Sequence, residues 1–159
     1  MKTVYLETSI FSFYFDERQQ PDIVARRDWT REFWEACRTQ YDFVTSTAVL
    51  AELLRGNKPH KSDALKLAQT LPAVEPDSAV DEVVRAYLKH KLMPADPAGD
   101  VLHLALASCN RHDFLATWNC QHLANANKAD HIQHVNDLLG LPTPRLVTPM
   151  ELLGVDGTD

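Results

Sequence analysis

Residues Lys2–Phe15 read KTVYLETSIFSFYF, and this run holds one acid, Glu7, among apolar and hydroxylated neighbours. In its first half, TVYLETS, the apolar residues do not strictly alternate with polar ones. That is the pattern of a strand buried on both faces, as strands of a helix-covered parallel sheet are. A carboxylate at the end of such a strand has lost much of its water, and nothing in the adjacent sequence offers it a partner. Burying a charge without a partner is costly. Glu7 therefore asks for a functional explanation.

Working outward, strand-length apolar runs alternate with helical patterns. RRDWTREFWEACR brings Trp29, Phe33, Trp34 and Cys37 close to one helical face. YDFVTS reads as a second strand, and TAVLAELLRG as a helix that begins near Ser46 or Thr47 and closes at Gly56. SDALKLAQTL is a helix with Ser62 as its cap, AVEP a short third strand, and SAVDEVVRAYLKH a helix opened by Ser78 with Asp81 three residues on, a capping-box pattern. PAGDVLHLALASCNRH is an apolar helix with Asp100 in its first turn. DFLATWN is a fourth strand, KADHIQHVNDLLG a helix ended by Gly140, and RLVTP a last strand. Strands and helices in this order predict an α/β fold, a central parallel sheet of four to five strands with helices on both faces.

The chain has 159 residues, which fits one domain; residues 1–153 form it, with 154–159 expected as a tail. No apolar run approaches the roughly 20 residues needed to span a bilayer, and the N-terminus shows no secretory pattern. Three cysteines without CxxC spacing read as reduced thiols of a cytoplasmic protein. The net charge of −6 argues against a surface coated in basic residues, and RGNKPHK, Arg55 to Lys61, is the one clearly basic cluster. A nuclease that gathers acids around a metal can be acidic overall and still hold phosphate.

In an open parallel sheet the functional crevice lies at the carboxyl ends of the strands. Glu7 ends the first strand, Glu52 lies in the first turns of the helix after the second, Asp100 opens its helix, and Asn119 ends the fourth strand. These four residues are thereby brought toward one edge as the catalytic set. Three carboxylates in one crevice repel each other and call for a positive partner. With oxygen ligands alone that partner is a hard cation, Mg²⁺ or Mn²⁺, held by Glu7, Glu52 and Asp100. An acid not spent on the ion can orient or deprotonate a water, which is the arrangement for metal-assisted phosphodiester hydrolysis. Asn119 would assist through water. Ser9 and Arg55 are weaker candidates, the first beside Glu7, the second three residues past Glu52 and able to meet a substrate phosphate.

The segments YLETS, AVLAELLRG, GDVLHLALA and ATWNCQHLAN, in that order, resemble the PIN-domain family, especially its VapC-like toxin ribonucleases. The resemblance runs from Thr3 to about Leu153. It implies a PIN-like three-layer sandwich, Mg²⁺- or Mn²⁺-dependent cleavage of RNA, a VapB-like antitoxin that blocks the site, and a homodimer. The family's first acid is usually Asp in a DTS-like motif, whereas Glu7 adds a methylene and moves its carboxylate outward by about 1.5 Å. The family's fourth position is often acidic and is Asn119 here, which favours one tightly held ion over two.

Each residue also has a plainer reading. Glu7 can be a helix cap, Glu52 a solvent-facing acid, Asp100 a response to its helix dipole, and Asn119 a turn residue. For Glu52, its neighbours Val49, Leu50, Leu53 and Leu54 make the helix apolar nearly all round and favour a buried acid. His131 and His134 have a zinc-compatible spacing but no third ligand nearby. His103 and His122 lie close to the acids in sequence and are left out of the catalytic set. Two rival functions remain: a catalytically degenerate PIN domain that binds RNA or protein, and a small-molecule phosphohydrolase. The second would need a DxD motif after the first strand, which LETS does not supply.

Overall fold

The computed structural model describes residues 1–93 and 99–154. Along the chain run β1 (Thr3–Leu6), α1 (Thr8–Tyr14), α2 (Pro21–Cys37), β2 (Asp42–Ser46), α3 (Thr47–Arg55), α4 (Lys61–Ala68), β3 (Ala73–Val74), α5 (Ser78–Lys89), α6 (Asp100–Cys109), β4 (Phe114–Ala116), α7 (Ala126–Leu139), β5 (Arg145–Val147) and α8 (Pro149–Gly154). The strands form one five-stranded sheet in the order β3-β2-β1-β4-β5, and every pairing is parallel. The α/β reading with helices on both faces therefore holds. Right-handed crossovers put α1–α4 on one face as the chain steps from β1 out to β3. The step back across to β4 and β5 puts α5, α6 and α7 on the other. Contacts of α1 with α2, α3 and α4, and of α5 with α6, follow this division.

β1 is central because its residues can be: Val4, Tyr5 and Leu6 are fully buried. The strand is shorter than TVYLETS suggests. Glu7 caps a helix, its side chain accepting from the Ser9 N–H, so the chain turns at once into α1 with Ile10 and Phe11 facing the core. The sequence reading places no helix at α1 or α8. In α2 the buried face is Thr30, Phe33, Trp34 and Cys37, an i, i+3, i+4, i+7 stripe, while Trp29 sits at its edge and is 37% exposed. In α3 only Val49 and Leu53 are buried, and Leu54 is 61% exposed, so this helix is not apolar all round. In α6 seven residues from Val101 to Ser108 are buried, which makes it the helix most enclosed by its neighbours among those described.

Two caps differ from expectation. The α4 cap is His60, with no side-chain bond, because the helix starts one residue before Ser62. The α5 cap is Asp77, whose carboxylate accepts from the Val80 N–H at 2.9 Å, and Ser78 is already helical. An acid suits this position better than the hydroxyl beside it, since it also meets the positive end of the helix. Asp77→Ala is expected to cost about 1 kcal/mol, and Ser78→Ala no more than about 0.5 kcal/mol, as read by urea denaturation. Gly140 ends α7 as expected, with φ at 72°, in the left-handed region that a side chain would strain. Pro97 and Ala98, read as the start of α6, and residues 155–159 of the expected tail lie outside the described residues.

Candidate active site

The strand order reverses between β1 and β4, so the switch point of the sheet lies where Glu7 leaves β1 and Thr117, Trp118 and Asn119 leave β4. The two exits are stitched together: the Glu7 N–H donates to Ala116 O at 3.1 Å, and the Trp118 N–H to Ser9 Oγ at 2.9 Å. Glu7 is 8% exposed. Its Oε1 accepts three hydrogen bonds, from the Ser9 N–H at 3.1 Å, Ser9 Oγ at 2.5 Å and Thr117 Oγ1 at 2.6 Å. No described residue donates to Oε2. Glu7 is thus both the cap of α1 and a carboxylate with one oxygen held fast and the other available.

Glu52 reaches the same place from α3. Both its oxygens are held: Oε2 accepts from Thr8 Oγ1 at 2.5 Å, and Oε1 lies 2.8 Å from His103 Nε2. Burial opposes ionisation of Glu52. The His103 hydrogen bond and charge, the Thr8 hydroxyl and the charge of Arg55 outweigh it and hold the carboxyl below its ordinary value. Asp100 moves the other way. Burial and the neighbouring charge of Glu7 raise its carboxyl above the usual range, against the hydrogen bond from Asn119 and the charges of His122 and His103. Glu7 and Glu52 therefore meet, and Asp100 lies near enough to Glu7 to be raised by its charge.

Asn119 joins the site through its amide nitrogen, which donates to Asp100 Oδ2 at 2.9 Å. Its amide oxygen accepts from the Gln121 and His122 N–H groups, each at 3.1 Å, and closes the turn after β4. Asn119 is both a turn residue and a support for Asp100. Ser9 supports Glu7. Arg55, at the end of α3, is exposed and acts on Glu52 through its charge alone. His131 and His134 are exposed and on the far element α7.

The sequence reading leaves out His103, and the structure puts it at the centre. It is buried, with Nε2 on Glu52 and Nδ1 2.7 Å from Tyr5 Oη. Tyr5 Oη lies 2.7 Å from Ser46 Oγ, which accepts from Val49 N–H at 3.1 Å as the cap of α3. One buried line of contacts thus runs Ser46, Tyr5, His103, Glu52, Thr8. Burial disfavours the imidazolium, but the hydrogen bond to Glu52 and the charges of Glu7, Glu52 and Asp100 prevail and raise His103 above its ordinary value. Its signal in the sequence is position alone: one turn past Asp100, and the one polar residue between Asp100 and Ser108. As imidazolium His103 would offset part of the acids' charge; as neutral imidazole it would offer a nitrogen donor beside their oxygens.

A divalent ion fits these donors. Ligand atoms of Glu7, Glu52 and His103 lie within 4.8 Å of one another. Gly99, beside them, leaves room: a Cβ there would stand 3.4 Å from Glu52 Oε1 and 4.0 Å from His103 Nε2. A cleft of about 980 Å³ opens next to Thr8 and Glu52, with Arg18, Lys58 and Lys61 among its lining residues.

No family model matches the chain, and no curated protein matches it significantly in sequence. Solved structures do match. A chain of VapBC2 from Rickettsia felis, solved bound to a DNA fragment from its promoter, superposes with a TM-score of 0.59 at 15% identity, over 92% of this chain and 98% of that one. A chain of DNA-bound VapBC from Salmonella typhimurium gives 0.58 at 18% identity, over 94% and 99%. The fold is PIN-like. FitAcB from Neisseria gonorrhoeae gives 0.52 at 16% identity, over 92% and 97%. At these identities the likeness concerns the PIN-like fold itself, and the site must be argued from its own side chains.

Proposed function

We propose that the chain is a VapC-like, metal-dependent endoribonuclease of the PIN-domain family, the toxin of a toxin–antitoxin pair. The observation that carries this is the meeting of Glu7, Glu52 and His103 at the switch point of a PIN-like sheet, with Asp100 near enough to Glu7 to feel its charge. Glu7 and Glu52 would hold Mg²⁺ or Mn²⁺, with Asp100 beside them. Such an ion polarises a phosphoryl oxygen and makes water a competent nucleophile at neutral pH. The chain's own residues do the positioning. Ser9 and Thr117 fix Oε1 of Glu7 and turn Oε2 toward use, Thr8 and His103 fix both oxygens of Glu52, and Asn119 fixes Oδ2 of Asp100. Asp100, with Oδ2 held by Asn119 and Oδ1 left free of that bond, would take the proton of the attacking water at Oδ1. RNA would reach Glu52 along the cleft whose wall carries Lys58 and Lys61, with Arg55 outside it as a further phosphate contact.

The VapBC and FitAcB neighbours support a VapB-like antitoxin as partner. A homodimer would use exposed apolar residues such as Trp29 and Met150. Among the described residues no helix is long and apolar enough to cross a membrane. One observation favours the rival reading of a degenerate binding module: the Asn119 amide oxygen is spent on a turn. Turnover decides between them. The purified, antitoxin-free chain is expected to cleave single-stranded RNA with Mn²⁺ or Mg²⁺, to stop in EDTA, and to recover when Mn²⁺ is restored. Binding of RNA with no cleavage under any of these conditions would replace the nuclease with the binding module.

A further inference from the structure

We propose that His103 is a nitrogen ligand of the ion, so that Glu7, Glu52 and His103 form a mixed oxygen–nitrogen set that prefers a first-row transition dication to Mg²⁺. This rests on the metal-dependent reading above and deepens it by naming the ion's chemistry. Four observations carry it. The ligand atoms of these three residues lie within 4.8 Å of one another, and Asp100 is not among them. The distance from His103 Nε2 to Glu52 Oε1 is 2.8 Å. Two atoms on adjacent corners of an octahedral ion, with bonds of about 2.1 Å, lie about 3.0 Å apart. The pair is already spaced as neighbouring ligands, and the ion takes the place of the proton they share.

The third observation is the far side of the ring. A histidine that binds metal through one nitrogen donates from the other to a fixed acceptor, which sets its tautomer and orientation. His103 Nδ1 has Tyr5 Oη at 2.7 Å, and Tyr5 can pass its own hydroxyl proton to Ser46 Oγ at 2.7 Å. With Nδ1–H donating to Tyr5, Nε2 keeps its lone pair directed at Glu52. Tyr5 and Ser46 are fully buried, so neither can trade this partner for water. The fourth is Gly99, whose missing side chain leaves space beside the same two atoms. Imidazole suits transition ions, while Mg²⁺ is served by carboxylates and water. Glu7 brings the second oxygen through Oε2, to which no described residue donates.

The test is pulsed electron paramagnetic resonance on the whole chain loaded with Mn²⁺, comparing natural-abundance protein with protein carrying ¹⁵N-histidine. The expected spectrum shows a directly bound ¹⁴N that becomes ¹⁵N on labelling. The coupling is lost in His103→Gln and kept in His122→Gln and His60→Gln, which change a histidine whose charge acts on Asp100 and one that lines the cleft beside Glu52. Calorimetry is expected to give Mn²⁺ at least about tenfold tighter binding than Mg²⁺, with the preference lost in His103→Gln. The labelled wild-type spectrum stands even if His103→Gln fails to fold. Mn²⁺ bound without histidine nitrogen coupling overturns the assignment and leaves the nuclease reading intact, with His103 merely orienting Glu52. No Mn²⁺ binding overturns both.

Discussion

Asp100→Asn is expected to abolish RNA cleavage while making the metal-free protein more stable. The loss of activity should exceed about a hundredfold, the upper end of what removing a mere supporting partner of a metal site costs. The variant loses a charge for the ion and the group suited to accept a proton from water. It keeps the contact to Asn119, whose amide nitrogen now lies 2.9 Å from Asp100 Oδ2, because an amide oxygen can accept in its place. The stability gain follows from the carboxyl's raised value, caused first by burial and then by Glu7. A folded-state value above the unfolded one means that the folded state holds the proton more tightly. Asp100 therefore lowers stability progressively as pH climbs from the ordinary aspartate value of about 3.9 through its raised one. The variant escapes that loss. Its melting temperature without metal should exceed the wild type's at pH 7, and the gap should close toward pH 3. Added Mn²⁺ should then stabilise the wild type more than the variant. Cleavage retained at wild-type rate would remove Asp100 from the site, and an unfolded variant would make it a structural residue.

That pairing of lost activity with gained stability would mark a site whose charges are assembled for an ion and not for the fold. The assembly was legible in part. TVYLETS reads as a two-sided buried strand, and the alternation after it implies parallel pairing. The carboxyl-end rule then brings Glu7, Glu52 and Asp100 to one edge with no coordinates at all. What the sequence hides is how the edge is wired. Tyr5 and His103 are 98 residues apart and meet only through the tertiary fold, so no local pattern links them. Local pattern misleads for Asn119, where one residue serves the turn through its oxygen and Asp100 through its nitrogen. The apolar neighbours of Glu52 suggest deep burial, yet Leu54 is exposed and Glu52 sits at the mouth of a cleft. Caps were missed by one or two residues at α4 and α5, where competing polar residues stand side by side and only the backbone geometry chooses.

Tyr5→Phe is the second substitution with a large expected effect, and it removes one oxygen from the middle of the hidden wiring. The ring stays, so the core around Val4 and Leu6 keeps its packing. Two buried groups lose their partner at once, Ser46 Oγ and His103 Nδ1, each 2.7 Å from the hydroxyl. Leaving a buried polar group unsatisfied costs about 1–3 kcal/mol, and the loss should appear as a lower urea midpoint with unchanged slope. Ser46 retains the Val49 N–H, so most of the cost falls on His103. Without an acceptor at Nδ1 the imidazole is no longer held to one tautomer, and Nε2 is no longer aimed at Glu52. Metal affinity and cleavage should each fall by about 10- to 100-fold, as for other outer partners of a metal-site histidine. A double-mutant cycle separates this from a general weakening. Ser46→Ala alone costs about 1 kcal/mol as a lost helix cap, and if Tyr5 acts through the shared hydrogen bond, the two losses combine to less than their sum. Additive losses with unaltered metal affinity would mean that Tyr5 holds the sheet and not His103.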